Sequence, residues 1–249
     1  MKLAEGLMIG TRSTVGEIVA ADFRAASVFH QFGIDFCCGG GRTLEAACTA
    51  RNLAVEGVIR ELEQACSRPD ATVARFDAWD ADALSAYIVG KHHGYVRRAL
   101  AALTTYLKKL ERAHGNRHPE LHEVARRFES VAAEMTDHMA KEERVLFPYI
   151  QAIAEASRGS HQLPRSPFKS IEDPIAMMED EHQSVGDAVQ KIRELTDGYR
   201  VPADGCTTYQ VAMQELESFE RDLHEHVHLE NNILFPKARA LAKPAFASA

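Results

Sequence analysis

His138 and Glu142 stand four residues apart in HMAKEERVLFP, and His226 and Glu230 stand at the same spacing in HVHLENNILFP. No other feature constrains the fold of this chain as tightly. On an α-helix, residues i and i+4 lie one above the other on a single face, about 5–6 Å apart at Cβ, so an imidazole nitrogen and a carboxylate oxygen can reach one ion. Taken singly, an HxxxE is often a surface pair. Two copies in register, each followed by LFP, predict a two-metal site with half of its coordination shell on each helix.

The repeat extends backwards. His92 in YIVGKHHGYVRRAL precedes the first motif, and His182 in AMMEDEHQSVGDAV precedes the second at nearly the same distance. Each half therefore reads as a helical hairpin that gives one histidine from its first helix and an HxxxE from its second. Two such hairpins make an all-α, pseudo-symmetric four-helix bundle. Pro148 and Pro236 fall ten residues after the motif histidine in both halves. Each removes a backbone hydrogen bond and is expected to kink or end its helix just beyond the ligands.

The four helices are predicted over roughly 79–113, from Pro119 to about Ala156, from an Asp173 N-cap with Pro174 at N1 to Gly198, and from Thr207 or Thr208 toward Leu241. Ahead of them, residues 10–68 read as a compact three-helix module, with helical patterns in TVGEIVAADFRAASVFHQFG, TLEAACTARN and AVEGVIRELEQA and a turn at IDFCCGGG. SRPDATVARFD, broken by Pro69, reads as the linker to a bundle domain at 77–243, and SRGSHQLPRSPFKSI as the central loop of that bundle.

A chain of 249 residues, 45% hydrophobic, can bury the core of one large domain and a small companion. The net charge of −7, with signs interspersed, lacks the basic stripe of a nucleic-acid binder, so no nucleic-acid partner is expected. MKLAEGLMIGTRSTVGE has no apolar stretch before a small-residue cleavage site, and no apolar run of about 18 residues occurs, which predicts a cytoplasmic protein with no membrane partner. The five cysteines are an odd number without framework spacing and suit free thiols in a reducing compartment.

A ligand set of imidazoles and carboxylates without thiolate favours iron or manganese over a tetrahedral structural zinc. With about six positions per metal, two bridging glutamates, the imidazoles and a bridging oxo or hydroxo leave about one open position on each ion. That is the shell of a reactive site. Glu134, one turn before His138 and on the same face, and Glu181, immediately before His182, are candidates for an access path or proton relay. His118 and His122 share the i, i+4 spacing but have no counterpart in the second half, His224 and His228 flank His226 on other faces, and His30, His114 and His161 carry no pattern.

Cys37 and Cys38 precede a glycine run and a helix start near Thr43, where exposed backbone N–H groups favour thiolate. Adjacent cysteines are badly placed for a disulfide with each other. The pair is a candidate redox, metal or partner contact.

At these residues the chain resembles the hemerythrin-like cation-binding superfamily. It departs from the oxygen-carrying hemerythrins where His182 is followed four residues later by Gly186 rather than by a second histidine, which argues against reversible oxygen carriage. It more closely resembles the iron-sulfur cluster repair di-iron proteins, the RIC, YtfE or ScdA family. TVGEIVAADFRAASVFHQFGIDFCCGGGRTLEAAC is similar to that family's N-terminal module, and HMAKEERVLFP, MEDEH and HVHLENNILFP are similar to its metal motifs. The resemblance implies His92, His138, Glu142, His182, His226 and Glu230 as iron ligands, with His92 preferred to the adjacent His93 because the family pattern places the ligand first, after IVxx. It implies two non-haem irons per chain, oxo- or hydroxo-bridged when oxidised. The function implied is repair of iron-sulfur clusters damaged by nitrosative or oxidative stress, through NO handling or iron delivery. Damaged iron-sulfur proteins, NO or O2 and an electron donor are then the partners, and a homodimer is compatible with this reading. A nitric-oxide reductase and an oxygen or redox sensor of the hemerythrin-like type are the competing functions.

Overall fold

A computed structural model describes residues 9–66, 75–159 and 166–246 of the chain. The linker around Pro69, the stretch 160–165 of the central loop with His161, and residues 1–8 lie outside them. The described residues divide into two units, one drawn from 1–84 and 224–249 and the other from 85–223.

In the first unit, α1 (Val15–Ala21) starts on Thr14. The Thr14 hydroxyl accepts from the Glu17 N–H at 3.3 Å and the Glu17 carboxylate accepts from the Thr14 N–H at 3.0 Å, a reciprocal box that satisfies two donors the helix start would leave open. The helix stops at Asp22, whose carboxylate accepts from the Arg24 N–H at 3.1 Å and pairs with its guanidinium, and α2 (Ala25–Gln31) begins beyond it. The module therefore has four short helices among the described residues rather than three. An aspartate competing for a nearby N–H interrupts an apolar pattern that periodicity alone reads straight through. α3 (Leu44–Ala50) is capped by the Thr43 hydroxyl, and α4 (Val55–Ala65) buries Val58 and Leu62. The CCGGG turn between α2 and α3 lays the Gly40 and Arg42 carbonyls on the N–H groups of Gly16 and Val15 at 2.8 and 2.9 Å, filling the open donors of α1.

Four long helical runs come next. α5 (Ala81–Ile88) passes through a π-helical turn at Val89–His93 into α6 (Gly94–His114), and α7 (Glu120–Lys141) passes through another at Glu142–Leu146 into α8 (Phe147–Ser157). Then come α9 (Glu172–Leu195) and α10 (Thr207–Leu229), the last entering a third π turn at Glu230–Leu234 before α11 (Phe235–Phe246). Residues 85–223 of these runs form the hemerythrin-like four-helix bundle. α7 buries Leu121, Val124, Ala125, Phe128, Val131 and Met135 on one stripe, and His138 continues that stripe. Phe128 meets Phe219 of α10 edge to face at 5.6 Å, both fully buried, so truncating either to alanine is expected to cost about 3–5 kcal/mol.

Two expectations about these helices are corrected. Pro148 and Pro236 do not end their runs: each is the second residue of the α-helix that follows a π turn, so the break in regular geometry lies just ahead of the proline. The wider i to i+5 turn changes the carbonyl register ahead of the ring, where a missing N–H and a ring clash would otherwise break an α-helix. α9 has Ile171 rather than Asp173 at its N-cap, and the Ser170 hydroxyl accepts from the Glu172 N–H at 3.2 Å. Pro174 still falls in the first turn, where it needs no N–H. Among the described residues no helix is long and apolar enough to cross a membrane.

The segment after α10 belongs with the N-terminal helices. Lys237 Nζ donates to the Asp77 carbonyl at 2.9 Å, and Asn232, in the third π turn, donates through Nδ2 to the carbonyls of Phe36 and Cys37 at 3.3 and 3.0 Å. A methyl group at Gly16 or Gly40 would collide with the Asn232 amide, so these two glycines make the room it occupies.

Candidate metal centre

Within the bundle, His93, His138, Glu142 and His182 are buried, none more than 2% exposed. The Nε2 atoms of His93 and His138 each lie 3.3 Å from Glu142 Oε2, and His182 Nε2 lies 3.0 Å from His138 Nε2. The opposite edges of two rings are held by carboxylates: His138 Nδ1 is 2.9 Å from Glu181 and His93 Nδ1 is 2.6 Å from Glu143. An ionised carboxylate only accepts, so each Nδ1 carries a hydrogen, and in the neutral ring each Nε2 then turns a lone pair toward Glu142. Lone pairs and a carboxylate thus converge in one buried place. This is a donor set that a cation satisfies and that neutral hydrogen bonding does not.

The anchoring carboxylates are themselves kept ionised. Burial raises the Glu181 carboxyl, yet hydrogen bonds from Lys141 and His138 outweigh it and hold the group below the usual carboxylate range. Burial likewise raises Glu143, and hydrogen bonds from Arg97, at 2.5 Å, and from His93 bring it below that range. Phe147 stacks on the His93 ring at 5.8 Å and shields it from water.

The adjacent His92, expected as the ligand, stands elsewhere. It is fully buried, but its Nδ1 lies 3.0 Å from Asp222 Oδ1 and its ring meets Tyr87 edge-on at 5.8 Å, while His93 takes the place against Glu142. The expectation rested on the family pattern, which places the ligand first after IVxx; here both histidines close a π turn at Val89–His93, and it is the second that faces Glu142. Glu134 is exposed on α7, where its carboxylate accepts from the Ser130 and Ser184 hydroxyls at 3.1 and 3.2 Å, and is not brought to the cluster. Glu181 is brought there, as the anchor of His138.

In the other unit, His226 and Glu230 are fully buried and meet Nε2 to Oε1 at 2.9 Å. Glu230 opens its π turn as Glu142 opens the one in the bundle, and His92 and His93 close the first, so all three π turns among the described residues fall on motif residues. Insertions of this kind are frequent where a helix serves a site. His228, one turn before Asn232, is pushed down to about 4 by burial, against an opposing backbone hydrogen bond at Phe36, and its Nδ1 meets Asn232 Nδ2 at 3.2 Å. The Phe36 ring lies 5.9 Å from those of both His224 and His228.

At Cys37 the structure corrects the thiolate expectation. The N–H groups of Cys37, Cys38 and Gly39 are all taken by the Asp35 carboxylate at 3.0, 3.0 and 2.8 Å, and the Cys37 thiol donates to the same group at 3.2 Å. The N–H groups at the start of α3 are spent elsewhere, on the Ser13 and Thr11 carbonyls and the Thr43 hydroxyl. A hydrogen bond with Cys38, then burial, then the Asp35 charge raise the Cys37 thiol well above its ordinary value. Asp35 was legible as an Asx-turn residue two positions before Cys37. His93 was visible only as the neighbour of His92, and Glu143, Asp222 and Asn232 gave no comparable signal.

A buried cluster of imidazoles and carboxylate on a four-helix scaffold defines a helical cation-binding protein. The hemerythrin HHE cation binding domain family matches residues 84–238, spanning both HxxxE motifs, and the family described as a domain of unknown function, DUF542, matches residues 11–66. The chain belongs to the iron-sulfur cluster repair family that joins these two parts. It is 34% identical to iron-sulfur cluster repair protein YtfE of Pectobacterium atrosepticum over 90% of this chain and 96% of the relative. It is 33% identical to iron-sulfur cluster repair protein ScdA of Staphylococcus haemolyticus over 92% of this chain and 99% of the relative.

Proposed function

We propose that the protein restores damaged iron-sulfur clusters in the cytoplasm through two non-haem irons, held by His93, His138, Glu142 and His182 of the bundle together with the repeated pair His226 and Glu230. The observation that carries this reading is the equal approach of His93 and His138 to a single Glu142 oxygen, the arrangement expected of a carboxylate shared between two ions. The HxxxE repeat supplies His226 and Glu230 as the second half, and one cation-binding family spans both halves. Imidazole and carboxylate without thiolate suit iron. The names of the relatives support repair as the activity and iron-sulfur proteins as its targets.

Bound there, ferrous iron would supply redox chemistry and open positions for a small ligand such as NO. The chain's own contribution is orientation. Glu181 and Glu143 hold the Nδ1 protons of His138 and His93, so the Nε2 lone pairs stay directed at the metal positions, while Lys141 and Arg97 keep those two carboxylates ionised. Residues 10–68 and 77–243 act as two functional parts in this proposal, the first presenting Cys37 and Cys38 and the second holding the metals.

Metal analysis on anaerobically purified protein, combined with reactivation of an NO-damaged iron-sulfur enzyme, tests the reading. About two irons per chain and reactivation that depends on them are expected. A single zinc in the site would overturn the metal assignment, and iron-loaded protein that reactivates nothing would overturn the repair assignment.

A further inference from the structure

His114 closes α6 at the end away from the metal cluster, about 30 Å along the helix from His93. There its Nε2 lies 3.3 Å from the sulfur of Cys206. We propose that Cys206 is a second reactive site, a nucleophilic thiol served by His114 as base, which forms a mixed disulfide with a small disulfide of the glutathione type.

The two partners are built differently. Cys206 is exposed, directly before Thr207 at the start of the 23-residue α10, and its carbonyl accepts the first helical hydrogen bond, from the Gln210 N–H at 3.1 Å. His114 is only 6% exposed, and its Nδ1 is buried with no hydrogen-bond partner. Burying an imidazole this incompletely satisfied is costly, and a leucine would fill the space without that cost. What the imidazole provides is its directed contact with sulfur.

The ring is also held in place. Tyr209 meets it edge-on at 5.5 Å and His118 lies 6.3 Å away. His118 is fixed in turn by Asp204 at 3.0 Å and Glu120 at 3.3 Å, and Asp204 by Arg117 at 3.0 Å. A fixed base beside an accessible thiol is the arrangement of an activated nucleophile. The contrast with Cys37 is direct: that thiol is buried and faces a carboxylate.

The chemistry balances without the metals. The Cys206 thiol proton passes to His114 Nε2 as the sulfur attacks one sulfur of the disulfide. A new S–S bond forms as the old one breaks, and the departing thiolate takes the proton back from the imidazolium. Cys206 is oxidised, the departing half of the disulfide is reduced, and excess thiol reverses the exchange.

The test uses full-length protein under argon with glutathione disulfide, following the occupancy of each cysteine by peptide mass mapping. Cys206 should be modified about tenfold faster than the partly exposed Cys38, and His114→Gln should slow Cys206 by about tenfold while leaving Cys38 unchanged. If Cys206 is no faster than Cys38, or if the variant reacts within about twofold of wild type, the sulfur-imidazole contact is only a helix cap and the proposal is wrong. Should His114→Gln not fold, the comparison of the two cysteines in the wild-type protein decides alone.

Discussion

The two HxxxE frames share their skeleton and differ in the residues just beyond the glutamate. In both, the glutamate opens a π turn and a Phe-Pro pair resumes the α-helix. In HMAKEERVLFP the next residue is Glu143, which holds His93 and Arg97. In HVHLENNILFP the residue two after the glutamate is Asn232, whose amide enters the N-terminal module and holds the carbonyls behind Cys37. A repeated frame can therefore keep its ligand geometry while the positions between the ligands take on separate duties. One frame orients His93 of the buried cluster, and the other secures a turn that carries thiols.

The proposed sharing of both glutamates can be broken most sharply at the glutamates themselves. Glu142→Gln and Glu230→Gln should each remove most bound iron, because each carboxylate serves both positions. If one variant keeps a full complement by elemental analysis, the frames are not equivalent and that glutamate is no bridge. The adjacent histidines separate next. His93→Ala should lose iron from one position with the helices intact by circular dichroism, whereas His92→Ala should keep the iron count. The reverse result would restore the order expected from the sequence.

Asn232→Leu sharpens the difference between the frames. It leaves two buried carbonyls without their donor and is expected to cost about 1–3 kcal/mol in denaturant unfolding and to raise the alkylation rate of Cys37, while iron binding persists. Loss of iron with no change at Cys37 would mean that Asn232 serves the metal instead of the module.

The smallest effect concerns pH. Glu143 and Glu181 have lowered carboxyl values in the folded protein, so their ion pairs contribute fully above the unfolded reference near about pH 4.3 and lose that contribution as pH falls through the folded values. In metal-free protein the stability gap between wild type and Glu181→Gln should be below about 1 kcal/mol at neutral pH and should close on acidification. A gap that widens as pH falls would contradict the ionised anchor.

The metal frames were open to reading because periodicity and ligand chemistry are local properties of a string. Spacing of four on a helix puts His138 and Glu142, or His226 and Glu230, on one face whatever surrounds them, and the doubled hairpin pattern leads to the four-helix bundle. The choice between His92 and His93 was not local in that sense. Both residues close one widened helical turn, and they are told apart by carboxylates distant in sequence, Glu143 against the His93 ring and Asp222 against the His92 ring. The same holds for the thiols. A helix start favours thiolate only where its donors stay open and no acid faces the sulfur, and at Cys37 Asp35 faces it. Side chains that act through neighbours distant in sequence, such as Asn232 on the Cys37 carbonyl or His114 on the Cys206 sulfur, acquire their roles only when tertiary contacts bring the partner within hydrogen-bond reach.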